Sequence, residues 1–343
     1  MDGNPAESQS SAECEEECSH APEETFETYS RLSSSDRSFL QLLKTLPLLG
    51  TLSIAEERIR MREGQTTAAS EYSVTVEQHQ TTSCTVQLIR PLNLAAPAPI
   101  LFYLHGGGWV LGSIETHRRL VCELVLKGHC VIAFVDYPCA PEHVFPASLE
   151  ASITAITEIL NAAETLGLDS ARFIIGGDSA GGNLAAAVIL ECTKRKLPLP
   201  ARQILLWPVT NHSDRTCSYR QFEGNPNLSR AAMQWFWSHY LPDTSISADP
   251  RISPLQAEEA SLAQFPPTLL VTCEYDILRD EGEAFAARLL HAGVDVTAVR
   301  WLGSLHGFLV NEALCSSESA RTCIEMVAQY IRRGFEGDGS LTA

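Results

Sequence analysis

From about residue 70 the apolar positions fall into two successive textures. "EYSVTVEQ" (71–78) and "CTVQLIR" (84–90) alternate apolar and polar residues, the pattern of half-exposed antiparallel strands. The chain then changes to short apolar runs: "PILFYLH", "CVIAFVDY", "FIIGGDS", "QILLWPV", "TLLVTCEYD" and "VDVTAVRW". Between them, helical patterns are predicted near 115–128, 146–166, 180–195, 279–292 and 317–334. Buried strands alternating with helices predict an α/β domain, a mostly parallel central sheet with helices on both faces.

Two departures from that rhythm predict a helical cap. Upstream, Ser35 or Asp36 is positioned to cap a helix "RSFLQLLKTL" ended by Pro47, and a second helix, "IAEERIRMRE", stops at Gly64. Downstream, an insertion from about 208 to 264 carries "NLSRAAMQWFWSHYLPD", with Asn227 or Ser229 as the helix cap. The expected organisation is therefore a tail (1–30), N-terminal cap helices (31–66) and a catalytic domain (67–343) holding the insertion.

Composition narrows the function classes. Residues 1–30 hold nine carboxylates and neither Lys nor Arg, within a chain whose net charge is −17. So acidic and poorly apolar a segment is expected to be disordered. The same charge argues against nucleic acid or an anionic membrane as partner. The opening "MDGNPAESQS" lacks a secretory signal, and no apolar run is long enough to cross a bilayer. A cytoplasmic protein with reduced thiols is expected. Most of its eleven cysteines, Cys130, Cys192 and Cys273 among them, lie in apolar runs. Cys14, Cys18 and His20 lack a fourth partner, so no metal site is expected there.

Candidate chemistry centres on "GDSAG" (177–181). Ser179 follows a buried strand and opens a helix, the setting of a nucleophile elbow, in which glycines let strand and helix backbones meet. A serine hydroxyl needs a base and an oriented acid, which follow in the order Ser, acid, His. Only His291 and His306 come after "TLLVTC". His291 ends a helix, where a cation suits the dipole, whereas His306 sits in the glycine-flanked loop "GSLHGF" and is the expected base. Asp276, just past the strand, is the expected acid, with Glu274 its rival. Asp280 and Glu281 read as first-turn residues favoured by the helix dipole. "HGGGW" (105–109) matches an oxyanion loop: the N–H groups of Gly107, Gly108 and Ala180 would face a developing negative charge, and His105 would hold the loop. No Lys-Ser/Thr follows the glycines and no dinucleotide spacing fits, so no cofactor is expected.

Taken together, "HGGGW", "DYPCAPEHVFPASLE", "GDSAGGN", "NPNLSRAAMQWFW", "EYDILRDEG" and "LHGF" closely resemble the hormone-sensitive lipase family of α/β-hydrolases from about Pro99 to Phe335. The resemblance implies an α/β-hydrolase fold, a Ser179–His306–Asp276 triad and hydrolysis of small carboxylic esters with short to medium acyl chains. A specific acetyl ester or a lactone also fits. Cys139 stands where the family usually has Leu, which touches local packing alone. The resemblance also implies that the helix bearing Phe39, Leu40, Leu43 and Leu46 is part of a lid, and that a homodimer could pair through "VDVTAVRW". Trp109, Asp178 and Trp235 are the candidate substrate contacts. Adjacent helical residues point apart, so at least one of Trp235, Phe236 and Trp237 must pack into the core. The same serine machinery would also serve an amide, carbamate or thioester, a biosynthetic rearrangement, or survive in a non-catalytic binding protein.

Overall fold

The computed structural model describes residues 29, 31–65 and 68–335. Apart from Tyr29, the acidic tail and its Cys14, Cys18 and His20 lie outside the described residues. The two alternating segments form β1 (Val74–Gln80) and β2 (Thr85–Pro91), an antiparallel hairpin in register from Val74 opposite Pro91. The apolar runs form β3 (Ala98–Leu104), β4 (Val131–Asp136), β5 (Leu168–Asp178), β6 (Gln203–Leu206), β7 (Thr268–Tyr275) and β8 (Val296–Leu305). One eight-stranded sheet results, in the order β1-β2-β4-β3-β5-β6-β7-β8. β2 joins β4 antiparallel and every later pairing is parallel.

Burial follows the sequence pattern. β3 is buried at all seven positions, whereas β1 keeps none of its residues fully buried. Leu101, Phe102, Phe134, Ile174, Leu205 and Leu270 fill the core, and Cys130, Cys192 and Cys273 pack among them as small apolar groups. The nine described cysteines are all free thiols. Helices α3 (Ile114–Gly128), α4 (Ala147–Asn161), α5 (Ala180–Arg195), α9 (Arg279–His291) and α10 (Glu318–Phe335) connect and cover the strands. α10 shows why such helices form: Ala320, Cys323, Ile324, Val327 and Ile331 repeat at helical spacing and are buried, and α10 packs against α3.

The strand order also locates the site. From β3 the chain crosses outward to β4, then returns past β3 to build β5 on its other side. Beyond the carboxyl ends of β3 and β5 the connections diverge and leave a crevice, the usual binding place of an open α/β sheet.

Helices form in the segments expected as a cap, but the first lies three residues earlier than expected, ending at Leu43 rather than just before Pro47. α1 (Ser34–Leu43) is capped by Ser33, whose Oγ accepts the Asp36 N–H at 3.1 Å, rather than by Ser35 or Asp36. Ser33 has the extended backbone that a cap needs, and Asp36 instead occupies the first turn. α2 (Ile54–Glu63) starts with a reciprocal capping box between Ser53 and Glu56. In the insertion, α6 (Cys217–Gln221), α7 (Arg230–Tyr240) and α8 (Glu259–Leu262) form, and Ser229 rather than Asn227 caps α7. Among the described residues no helix is long and apolar enough to cross a membrane.

Arg58 on α2 fastens the N-terminal segment to the body. It donates to the carbonyls of Val110 and Ala140, each at 2.9 Å, and forms a two-pronged pair with Glu142 at 2.8 Å per bond. The guanidinium holds the Glu142 carboxyl at about 2, below its ordinary 4.5. Arg58→Ala should lower the unfolding free energy at neutral pH by about 1–3 kcal/mol, read by denaturant titration. The Glu142 part of that contribution is complete above pH about 4.5 and fades as pH falls toward about 2, so the wild-type and variant curves should converge over that range.

Candidate active site

The strand β5 passes into α5 with no intervening loop. Ser179 takes the turn at φ 54° and ψ −119°, a conformation rare for a residue with a side chain. Its N–H donates to the Leu206 carbonyl at 2.9 Å, and its own carbonyl accepts from Asn183 and Val209. The two flanking glycines are demanded by space. A Cβ on Gly177 would lie 2.5 Å from the Gly181 carbonyl, and one on Gly181 would lie 2.0 Å from the Leu104 oxygen.

The expected partners reach Ser179. Its Oγ lies 3.0 Å from His306 Nε2, and His306 Nδ1 lies 2.7 Å from Asp276 Oδ2. An ionised carboxylate only accepts, so Nδ1 carries the proton and Nε2 turns its lone pair to the serine. Asp276 is buried, and its second oxygen takes the Leu278 N–H at 3.0 Å. The rival acid is occupied elsewhere: Glu274 pairs with Arg31 at 3.1 Å and accepts the Gly303 N–H at 2.6 Å. His291 is exposed at the end of α9, away from this chain of bonds.

Two first-turn carboxylates of α9 act as tethers. Asp280 accepts the Ser218 N–H at 2.6 Å. Glu281 is fully buried and accepts the Thr210 and Asn211 amides at 2.7 and 3.2 Å. Burial pushes its pKa well above the usual carboxylate range, so a favourable charge at the helix start does not describe it.

On the β3 side, the Gly107 carbonyl accepts from Val110 and Leu111, which curls the loop back over the strand end. Gly107 and Gly108 have φ of 112° and 60°. The Phe236 ring covers Gly108 so closely that a Cβ there would sit 2.1 Å from Cδ1. His105 is buried and stacked 4.1 Å from Tyr137, and its Nδ1–H donates to the Gly106 carbonyl at 2.8 Å. Burial, with His117 nearby, pushes its pKa down to about 3, so the ring is neutral and structural.

The three expected substrate contacts are placed differently. Asp178 is 4% exposed, and its Oδ1 takes the Tyr103 hydroxyl at 2.8 Å and the Gly106 N–H at 3.0 Å. Trp109 is fully buried, stacked on Tyr240 at 4.4 Å and against Trp237. Trp235 is half-buried over Gly50 and edge-on to Phe236. Asp178 thus bonds the 105–109 loop from within the core, Trp237 packs on its Trp109 and Phe236 on its Gly108. Two further residues escaped sequence reasoning. Asn227 Nδ2 donates to the His306 carbonyl at 2.7 Å, and Asn225 Nδ2 to the Tyr275 carbonyl at 3.1 Å. Of the two, Asn227 alone carried a reading from sequence, as a candidate helix cap. Among the described residues no group of His, Cys, Asp or Glu is arranged to hold a metal ion.

Residues 101–310 match a family described by its alpha/beta hydrolase fold. A putative alpha/beta hydrolase of Acanthamoeba polyphaga mimivirus is 39% identical over 72% of this chain and 71% of its own length. The carboxylesterase NlhH of Mycobacterium tuberculosis is 31% identical over 80% of this chain and 88% of its own. A thermostable esterase from Pseudomonas putida superposes with a TM-score of 0.84 at 32% identity, over 89% of this chain and 98% of that one. The chain belongs to the hormone-sensitive-lipase-like carboxylesterase family of alpha/beta hydrolases.

Proposed function

We propose that this carboxylic ester hydrolase works through an acyl-enzyme on Ser179, with small esters of short to medium acyl chain as substrates. The observation that carries the reading is the continuous relay from Ser179 Oγ to His306 at 3.0 Å and on to Asp276 at 2.7 Å. Ser179 Oγ attacks the ester carbonyl while His306 Nε2 takes its proton, and buried Asp276 stabilises the imidazolium. The carbonyl oxygen becomes an oxyanion held by the N–H groups of Gly107, Gly108 and Ala180, each worth roughly 2.7–4 kcal/mol in the transition state. The intermediate collapses, the alcohol leaves with the proton from His306, and water repeats the sequence to release the acid. The helices α1, α2 and α7 serve as the cap. Asp178 and Trp109 support the oxyanion loop, and Phe236 limits the space beside it.

The ester size follows from that ring. Phe236 is buried against Gly108, so a long chain directed that way meets an aromatic wall. An acetyl ester or a lactone fits the same restriction. The nine free thiols suit a cytoplasmic location. Pairing of two copies through the outer strand β8, where Leu302 is exposed, is the homodimer that fits this sheet.

On nitrophenyl esters, Ser179→Ala should lower kcat by roughly four to six orders of magnitude without a change in melting temperature. His306→Ala should cost as much, and the double variant no more than either, because the relay acts as a unit. Asp276→Asn should lower kcat by about 10⁴ while Glu274→Gln stays near wild type. A series in which Ser179→Ala keeps most activity would remove the serine mechanism. Folded wild type that cleaves no ester would instead turn attention to an amide, carbamate or thioester.

Phe236→Ala should move the optimum toward longer acyl chains, raising kcat/KM for those esters relative to acetate by about ten- to two-hundredfold, the usual worth of one methylene in a pocket. Equal losses on every ester would show Phe236 to be packing alone.

A further inference from the structure

Helix α3 begins where the oxyanion loop ends: "HGGGW" runs to Trp109 and α3 opens at Ile114. Its first turns reach both ends of the contact between Ser179 and His306. His117 Nε2 lies 3.2 Å from Asp178 Oδ1, and Asp178 precedes Ser179. Arg119, two residues on and so about 200° around the helix, leaves from the opposite flank. Its Nη2 donates to the Leu309 carbonyl, in the loop that carries His306. Its Nη1 donates to Glu123, one turn along α3, at 2.6 Å. Arg119 is 6% exposed, so the guanidinium is buried as half of an ion pair.

The loop it reaches has little else to hold it. Residues 306–317, between β8 and α10, form neither helix nor strand. β8 itself is the outermost strand, paired with β7. The chain reverses at Gly307, φ 74°, whose carbonyl accepts the Val310 and Asn311 N–H groups at 2.9 Å each. That turn leaves the Leu309 carbonyl outside its own bonds, on a residue with no exposure. A buried carbonyl requires a donor, and Arg119 supplies it. Asn227 fastens the same loop at the His306 carbonyl, and Gln65 adds a longer bond to the Val310 carbonyl at 3.3 Å.

We propose that Arg119, oriented by Glu123, is a positioning residue for His306: through the Leu309 carbonyl it locks the base loop to the helix that follows the oxyanion loop. Serine, base and oxyanion donors leave different strand ends, and proton transfer across 3.0 Å tolerates little error. A misplacement of about 1 Å can cost about 10²-fold in rate. One helix bonded both to Asp178 and to the His306 loop sets that spacing from a single body. The planar fork suits the task, because its two terminal nitrogens serve two acceptors in fixed directions.

Arg119→Met keeps the apolar stem and removes both donors. With nitrophenyl acetate its kcat should fall about ten- to a hundredfold with KM nearly unchanged. Arg119→Lys keeps the charge but not the fork, and should recover part of the loss. This rate effect rests on the serine-esterase reading; a spectral effect does not. The His306 Nδ1–H, bonded to Asp276, gives a downfield proton resonance that His306→Gln removes. In Arg119→Met that resonance should move upfield and exchange faster with water, read well below the melting temperature. Should wild type cleave no ester, the resonance still decides. If Arg119→Met does not fold, Arg119→Lys and Glu123→Gln carry the same two readings. A folded variant with a lower melting temperature but wild-type kcat and an unmoved resonance would overturn the proposal and leave Arg119 as packing.

Discussion

Everything at the site depends on three backbones meeting within contact distance. The end of β3, the end of β5 and the first turn of α5 crowd together at Leu104, Gly177 and Gly181, with room for hydrogen and no more. Ser179 sits in the middle in a conformation that costs about 1–3 kcal/mol. The turn is offset by hydrogen bonds to Leu206, Val209 and Asn183, so the strain is held by the ends of β6 and α5 rather than by the serine's own neighbours. The geometric return is specific. Strand passes to helix in one residue, so the hydroxyl and the first amide of α5 are delivered to one point beyond the sheet, beside the loop leaving β3.

His306 and Asp276 have a harder placement, because they come from loops at the ends of β8 and β7. The insertion solves it. Asn227 bonds the His306 carbonyl, Asn225 the Tyr275 carbonyl, and Ser218 Oγ donates to the Ile277 carbonyl at 2.6 Å. Each tie runs from the insertion to backbone immediately beside a functional side chain. Arg58 makes the matching tie from α2 to Val110 and Ala140 on the oxyanion side. Segments that read along the chain as a cover are therefore also the fasteners that set distances of 3.0 and 2.7 Å at the relay.

This explains which features were legible in the sequence. Strand runs, chain order and the glycine-flanked serine are local patterns: burial makes parallel strands apolar, and crowding permits nothing but glycine at 177 and 181. Ser179, His306 and Asp276 followed from them. Roles decided by distant partners did not. Asp178, beside the nucleophile, read as a substrate contact, yet its partners Tyr103 and Gly106 lie 75 and 72 residues back. Glu281 has the local signature of a helix-dipole residue, and its burial comes from the insertion folding over it at Thr210 and Asn211. Trp109, a candidate substrate contact just after the glycine run, is enclosed by Tyr240 and Trp237 from the insertion. In each case the surroundings of the side chain are set by residues far along the chain.

The two buried histidine–carboxylate pairs around Ser179 show how surroundings turn one residue type to different work. Asp276 fixes a proton on Nδ1 of His306, and the free nitrogen then meets a hydroxyl, which can surrender a proton. Asp178 meets Nε2 of His117, and the remaining nitrogen faces the Thr116 hydroxyl and the Ser113 carbonyl. The first ring faces a hydroxyl that can give up a proton and take it back, which is the arrangement a general base needs. The second is fully buried and holds the carboxylate that anchors the Gly106 N–H. What separates them is the hydrogen-bond partner of the second ring nitrogen, a contact made by the turn between β5 and α5 for one ring and by the first turn of α3 for the other.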